Sequence, residues 1–455
     1  MSFFVISGVV VLELLNEKIV SIMTAMMLLS IGVFFSFRLG FFYIRHPVRT
    51  IKSMLGRESG EGISPFRAVT LALAGTLGVG NIAGVASSIA IGGYGSVFWM
   101  WVSALVAMVL KYAEIVLAIS HRRIERESGE PYGGAPYYIK DTLSRRGFAA
   151  AGKYLAGFFA LLCIVNSVTM GCMLQANAVS TSFEGVLDIK PWIVGAVVAL
   201  LCCFVITGNA KWVGGFCERT VPLMTLGYIA ISIAVIWARR EALPDAFRSI
   251  FDDAFTFESA TGGVVGFLVS SKLRAGVMRG LVSNEAGCGT APTAHASSNA
   301  KLPAKQGLWG IFEVFVDTVL LCTLTAIVII LAGDGVLSFA DNPMMMAVKA
   351  YSLALGEWSE YFMCISVLLF AFATMVCWAH YGKESLRAIT KSRVAPPIFI
   401  VLFCLFVFIG SVSAPSFAWL AADLSIGIMT IINLPILCIN SREIRLETDR
   451  LFKDK

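Results

Sequence analysis

The chain has 455 residues, 57% hydrophobic and only 15% charged, with a mean hydropathy of +0.79. A water-soluble chain carries roughly 25% charged residues, so the composition excludes one and reads as an integral α-helical membrane protein. The formal net charge of +6 is a membrane-topology signal and makes no case for nucleic acid.

The first apolar run, Phe3 to Leu15, is short, contains Glu13 and is followed by Glu17 and Lys18. It reads as a non-spanning or interfacial lead-in, without the charged start of a cleavable signal peptide. Eleven spans follow, at about 18–37, 66–90, 95–120, 152–183, 191–207, 219–238, 272–300, 307–333, 359–381, 396–413 and 417–440. The stretch 258–271 is too short to span beside the helix that follows and reads as re-entrant or interfacial. Cysteines such as Cys163, Cys202 and Cys364 fall in apolar runs, where cysteine acts as a small hydrophobe, so no disulfide framework or metal-type spacing is expected.

Lysine and arginine near the span ends set the orientation. Arg38, Arg45, Arg49, Lys52 and Arg57 follow the first span, and Arg122, Arg123, Arg126, Lys140 and Arg145 follow the third. The opposite side is acidic or mixed, with Glu184, Asp188, Asp252, Asp334 and Asp341, although Arg239 and Arg240 are exceptions. The N-terminus is expected outside and the C-terminus in the cytoplasm, in a plasma membrane of prokaryotic inner-membrane type.

Two glycine-interrupted stretches lie in matching positions: Gly75-Thr76-Leu77-Gly78-Val79-Gly80-Asn81 and Ser283-Asn284-Glu285-Ala286-Gly287-Cys288-Gly289-Thr290. Lipid cannot satisfy backbone groups freed from a helix, so such a break must be buried in protein or line a watery cavity. With the first span set aside, ten divide into two fives, each led by a broken span and running in opposite directions. That is the inverted-repeat logic of a secondary transporter. The expected division is 1–65 as lead-in and extra helix, 66–240 and 258–440 as the two repeats, and 441–455 as a cytoplasmic tail.

Residues 74–86, Phe98-Trp99-Met100-Trp101, Lys111-Tyr112-Ala113-Glu114, Gln175-Ala176-Asn177, Ser283-Asn284-Glu285-Ala286-Gly287 and Ala294-His295-Ala296 together resemble the alanine or glycine:cation symporter family, the sodium:alanine symporter type. Phe370 to Thr374 and Tyr381-Gly382-Lys383-Glu384 extend the likeness, which runs from about Pro65 to Leu434. The resemblance implies a LeuT-type fold of ten core helices with one extra N-terminal helix. It also implies uptake of a small neutral amino acid driven by sodium, or less often by protons. Two departures, Val282 where phenylalanine is usual and Cys377 where glycine is usual, would fall close to the substrate and leave the exact amino acid open.

A zwitterion needs a carboxylate site, an ammonium site and a side-chain pocket. The half-helix starting near Gly80 presents unpaired N–H groups and a positive dipole end, which suits a carboxylate. Its expected site is the N–H groups of Val79 and Gly80, with Thr76 and Asn81 as polar side chains. Gln175, in a long apolar run, would meet the substrate's polar groups or bond between helices, and Trp378 would wall the side-chain pocket or simply pack. Val282, Ser283 and Asn284 would complete the shell at the second break. By resemblance, sodium would take the carbonyls of Ala74, Leu77 and Ala371 and the hydroxyl of Thr374, unless that hydroxyl bonds back to its own helix.

An intramembrane carboxylate is a functional candidate by default. Glu285 could bind the ammonium, couple a proton, or pair with Arg279 or His295, and the last reading is preferred here. Glu114 and Lys111 are three apart and are expected to form a local ion pair. Asp317 is expected to act as a structural partner for a break. No clustered base, nucleophile or metal set marks the spans as an enzyme, no loop is long enough for a receptor's sensor domain, and an internal repeat argues against a channel ring. No cofactor beyond the coupling ion and no obligate protein partner are expected; the partners are amino acid, sodium and the lipid bilayer.

Overall fold

The computed structural model describes residues 11–54, 62–126, 129–207, 210–256 and 270–453. Helix α1 runs without a break from Val11 to Arg38. The lead-in from Val11 onward is therefore continuous with the first span, contrary to expectation. A π turn at Asn16–Val20 carries the chain through, with Glu17 and Lys18 facing outward, so the charges do not interrupt the backbone ladder. The expected re-entrant stretch at 258–271 lies, but for its last two residues, outside the described residues.

The second span is two helices, α2 (Pro65–Thr76) and α3 (Ala83–Gly92), bent by 60° about Leu77 to Ile82. Ser64 starts α2 by accepting the Arg67 N–H, with Pro65 in the first turn where its missing N–H costs nothing. Helix α4 (Gly95–Ser120) leads to a two-residue hairpin pair, β1 (Arg123–Ile124) and β2 (Pro131–Tyr132). The amphipathic α5 (Ala135–Arg145), α6 (Ala149–Leu187), α7 (Pro191–Ile206) and α8 (Ala210–Ala238) complete the first half. Helix α9 (Leu243–Ala254) follows and packs against α4.

The second half opens with another broken span, α10 (Ser271–Asn284) and the five-residue α11 (Pro292–Ala296). Glu285, Gly287 and Gly289 have positive φ in the break, which ends α10 at Asn284. There follow α12 (Pro303–Phe339), α13 (Pro343–Leu355), α14 (Trp358–Ile389), α15 (Ala395–Val412) and α16 (Ser416–Ile439). The amphipathic α17 (Ser441–Lys453) closes the described chain. Among the described residues eight helices are long and apolar enough to cross a membrane, and the bent α2–α3 pair makes a ninth. At the positions of the other two expected spans, α7 is shorter, at 16 residues, and α10–α11 is interrupted, so neither meets that length.

Two ends of the bundle are distinct. At the basic end, Ile63 bridges to Ser298, Arg122 donates to the Ser298 carbonyl, Lys383 to that of Ile206, and Arg145 pairs with Glu443. At the acidic end, Asp253 accepts the Gly95 N–H and pairs with Lys272, and Asn177 donates to the Ser413 carbonyl. Helix α4 packs against both α10 and α12, and most of its residues are buried. It is a core helix carrying a lysine and a glutamate, a costly choice that requires partners.

Candidate functional site

The two helix breaks meet in the middle of the bundle. Asn81 Nδ2 donates to Ser283 Oγ at 3.0 Å, and a Cβ on Gly80 would lie 3.4 Å from the Ser283 Cα. Breaking α2 frees carbonyls that a continuous helix would occupy, and α14 comes up against them. Thr374 Oγ1 donates to the Ala74 carbonyl at 2.9 Å and lies 3.4 Å from that of Leu77. The Thr374 hydroxyl therefore bonds across to the break. Ala371 is fully buried one turn earlier on the same helix. Three oxygens of the expected sodium set thus converge, and carbonyl and hydroxyl oxygens are the donors a hard alkali cation takes.

Gly78 is required by space. A Cβ there would lie 2.6 Å from Thr374 Oγ1 and 2.9 Å from Gln175 Oε1. Gln175 Oε1 accepts the Val79 N–H at 3.0 Å, while its amide donates to the Met170 carbonyl at 3.1 Å. That carbonyl belongs to a π turn at Thr169–Met173, where the helical ladder loosens. Gln175 therefore reaches the Val79 N–H expected for the substrate carboxylate. Val79 and Ala83 form the inner end of a cavity of about 190 Å³ that also meets Asn177, Asp341 and Trp419, toward the acidic end. Neither Asn177 nor Trp419 was singled out for binding from sequence.

Two other expected residues, Thr76 and Trp378, stand away from the cavity, and the rest are held in the breaks. The Thr76 hydroxyl turns back on its own helix, toward the Ala72 and Leu73 carbonyls at 3.4 Å each. Trp378 is fully buried and does not line the cavity; it packs on the π turn, where a Cβ on Gly171 would sit 2.3 Å from its own Cβ, and edge-on to Tyr381. Glycine at 171 lets the indole in, so the ring supports the segment carrying Gln175 from behind. Val282 is buried beside Gly80. Asn81 accepts the Gly78 N–H and donates to Asp317 Oδ1 at 2.7 Å. Asp317 Oδ2 accepts from Ser283 and Thr318, each at 2.7 Å. Asn284 Nδ2 donates in turn to Thr318 at 3.1 Å. Asp317 thus joins both breaks from a π-helical stretch of α12, Phe315–Cys322.

Beyond the second break lies a separate ionic cluster. Lys111 pairs with Glu313 at 3.1 Å and donates to the Asn284 carbonyl at 2.7 Å, at the negative end of α10. His295 lies between Glu313 (3.1 Å) and Gln306 (2.8 Å). The expected Lys111–Glu114 pair is replaced by Lys111–Glu313, because α12 brings a carboxylate against the buried face of α4. Glu114 instead accepts from Asn433, which also donates to the Gly287 carbonyl. Glu285 pairs with neither Arg279 nor His295: it accepts from Thr290 at 2.5 Å, while Arg279 pairs with Asp423 and stacks over Trp419 at 4.5 Å. Its left-handed backbone turns the side chain into the break, away from the helix face carrying Arg279.

A family model described as the sodium:alanine symporter family matches residues 7–454. The chain is 33% identical to the sodium/alanine symporter AgcS of Methanococcus maripaludis, covering 90% of this chain and 89% of that protein. It is likewise 33% identical to the amino-acid carrier protein AlsT of Bacillus subtilis, over 91% and 86% of the two chains. Its fold is similar to that of a manganese transporter from Eremococcus coleocola, with a TM-score of 0.51 at 12% identity over 84% of this chain and 78% of the other. The fold is the LeuT type, and at that identity the likeness extends to fold alone.

Proposed function

The chain belongs to the sodium:alanine symporter family, and on that premise we propose that it imports a small neutral amino acid, alanine or glycine, together with sodium by alternating access. It is a multi-pass membrane transporter whose family couples amino acid uptake to a cation. The observation that carries the finer reading is Thr374 Oγ1 at 2.9 Å from the Ala74 carbonyl and 3.4 Å from that of Leu77. Sodium would enter among these oxygens, with the Thr374 hydroxyl rotating to offer a lone pair and the Ala371 carbonyl adding a further ligand. The amino acid would arrive through the cavity that ends at Val79.

Its carboxylate would take the Val79 and Gly80 N–H groups, displacing Gln175 Oε1. Ser283, Asn284 and Val282 would contribute from the second break. Valine at 282 is smaller than phenylalanine and leaves room for a larger substrate side chain. The basic end faces the cytoplasm in this reading, with the N-terminus outside, the membrane is the plasma membrane, and the repeats run over 66–240 and 258–440.

A second reading, proton coupling through Glu285, is favoured by one observation: Glu285 Oε1 is buried without a hydrogen-bond partner. The deciding experiment is uptake of radiolabelled alanine into proteoliposomes under an inward sodium gradient or an inward proton gradient. Accumulation with sodium alone supports the proposal, accumulation with protons alone moves coupling to Glu285, and uptake under neither gradient rules out alanine.

A further inference from the structure

At the basic end, a groove of about 620 Å³ opens on the outside of the bundle between the hairpin, α5, the start of α6 and the end of α14. Its rim carries three cations from three elements: Arg123 on β1, Lys140 on α5 and Lys153 in the first turns of α6. Arg123 is paired with Asp141 at 2.6 Å, so the rim keeps an excess of two positive charges, those of the exposed Lys140 and Lys153. Tyr137 and Tyr154 stand beside them, and Tyr154 is 77% exposed, the placement of an aromatic at a membrane surface.

Further along α6 the character changes from charged to apolar. Phe158 and Leu161 lie in the groove and are about half exposed, and Ile389 faces them from α14. Nothing lies within 4 Å of the place a Cβ on Gly157 would take, so the floor is open there. A mouth of two unneutralised lysines at the membrane surface, continuing into an apolar channel along a spanning helix, complements one kind of ligand. That ligand has an anionic phosphate at one end and hydrocarbon at the other.

We propose that this groove is a binding site for an anionic phospholipid, with the phosphate between Lys140 and Lys153 and an acyl chain along Phe158, Leu161 and Ile389. A free phosphate would gain nothing from the apolar half. The site is coupled to the basic end of the transporter through Tyr132, which lines the groove and also lies under Arg387 at 3.6 Å. Arg387 in turn pairs with Glu125 of the hairpin. A bound lipid would therefore brace the hairpin against α14.

The test is native mass spectrometry of the full chain after detergent extraction, titrated with phosphatidylglycerol or with phosphatidylcholine of the same chains. The wild type should retain phosphatidylglycerol in preference. Lys140→Gln/Lys153→Gln should weaken that retention about thirtyfold, each basic residue near a membrane surface contributing about fivefold. A control pair equally exposed at the same end, Lys391→Gln/Arg393→Gln, should leave it unchanged. Both pairs are surface residues, so folding is preserved. Equal loss in the two pairs would reduce the site to general surface charge, and no loss in the first pair, or equal retention of both lipids, would overturn it. None of these readouts depends on what is transported.

Discussion

Asn81 and Asp317 are 236 positions apart, yet the Asn81 amide donates to Oδ1 of Asp317 at 2.7 Å, inside the fold and away from water. Through Ser283 and Thr318 the same carboxylate holds the second break as well. Replacing it with a methyl group leaves buried donors unmet, at about 1–3 kcal/mol for each that finds no other acceptor. Asp317→Ala should therefore lower the thermal midpoint in detergent strongly and abolish uptake, with Asp317→Asn in between, since one acceptor survives. A stable Asp317→Ala protein would show that the breaks hold each other without it.

Thr374→Ala removes one oxygen from the proposed sodium set and leaves the Ala74 and Leu77 carbonyls in place. Apparent sodium affinity should fall by about fivefold or more, a loss of about 1 kcal/mol in binding, with a smaller change in apparent substrate affinity, and Thr374→Ser should restore it. Initial uptake rates against sodium at fixed alanine measure the first, and against alanine at fixed sodium the second. The opposite ordering would place Thr374 in the substrate shell.

What was legible in the sequence was chiefly what glycine and hydropathy reveal. The two breaks could be seen because Gly78 and Gly287 interrupt apolar runs, and Thr374 could be placed through the family resemblance. The π turns at Thr169–Met173 and Phe315–Cys322 could not, since residues in a π turn have the same composition as those in an α-helix. Those turns aim Gln175 and Asp317 into the site. The partners of buried charges were equally hidden: Lys111 finds Glu313 two hundred positions away, beyond any local spacing rule. The role of Trp378 stayed open because an aromatic in a membrane span looks the same in sequence whether it walls a pocket or supports a neighbouring turn.

Gly78→Ala tests whether the first break tolerates a single methyl group. With Thr374 Oγ1 and Gln175 Oε1 both inside 3.0 Å of it, one side chain must move. Overpacking of this kind costs about 1–3 kcal/mol, which a bundle of this size survives. The protein should purify as a folded species with uptake reduced more than tenfold, and uptake within twofold of wild type would deny that the close approach matters.

Lys111→Met leaves Glu313 buried with His295 as its remaining hydrogen-bond partner. Stripping one partner from a buried pair costs about 3–5 kcal/mol, because the other charge is left uncompensated. Lys111→Met should therefore be poorly folded, and Lys111→Met/Glu313→Gln should be more stable than the single variant, since the amide can still accept from His295. Thermal unfolding of the wild type, both single variants and the double variant closes the cycle. Additive losses would mean that the two residues do not depend on each other.

The C-terminal helix α17 should loosen in acid. Glu443 Oε1 lies 3.2 Å from His121 Nε2 and its other oxygen 3.3 Å from Arg145, joining α17 to the ends of α4 and α5. The His121 hydrogen bond holds the Glu443 carboxyl below its ordinary value of 4.5, against the opposing effect of burial, and the charges on His121 and Arg145 add to it. A carboxyl with a depressed folded-state value stabilises fully above its ordinary value and loses that contribution as pH falls through the folded one. Docking of α17 should thus be intact at neutral pH and weaken below about 4.5, the ordinary carboxyl value. Hydrogen exchange of 441–453, corrected for the intrinsic pH dependence of exchange, reads this directly. Glu443→Gln should exchange faster at neutral pH and lose most of the acid sensitivity, because the amide carries no charge to neutralise. Unchanged protection of that helix on acidification would mean that its apolar face, with Ile444 buried and Thr448 bonded to Tyr112, holds it without the carboxylate.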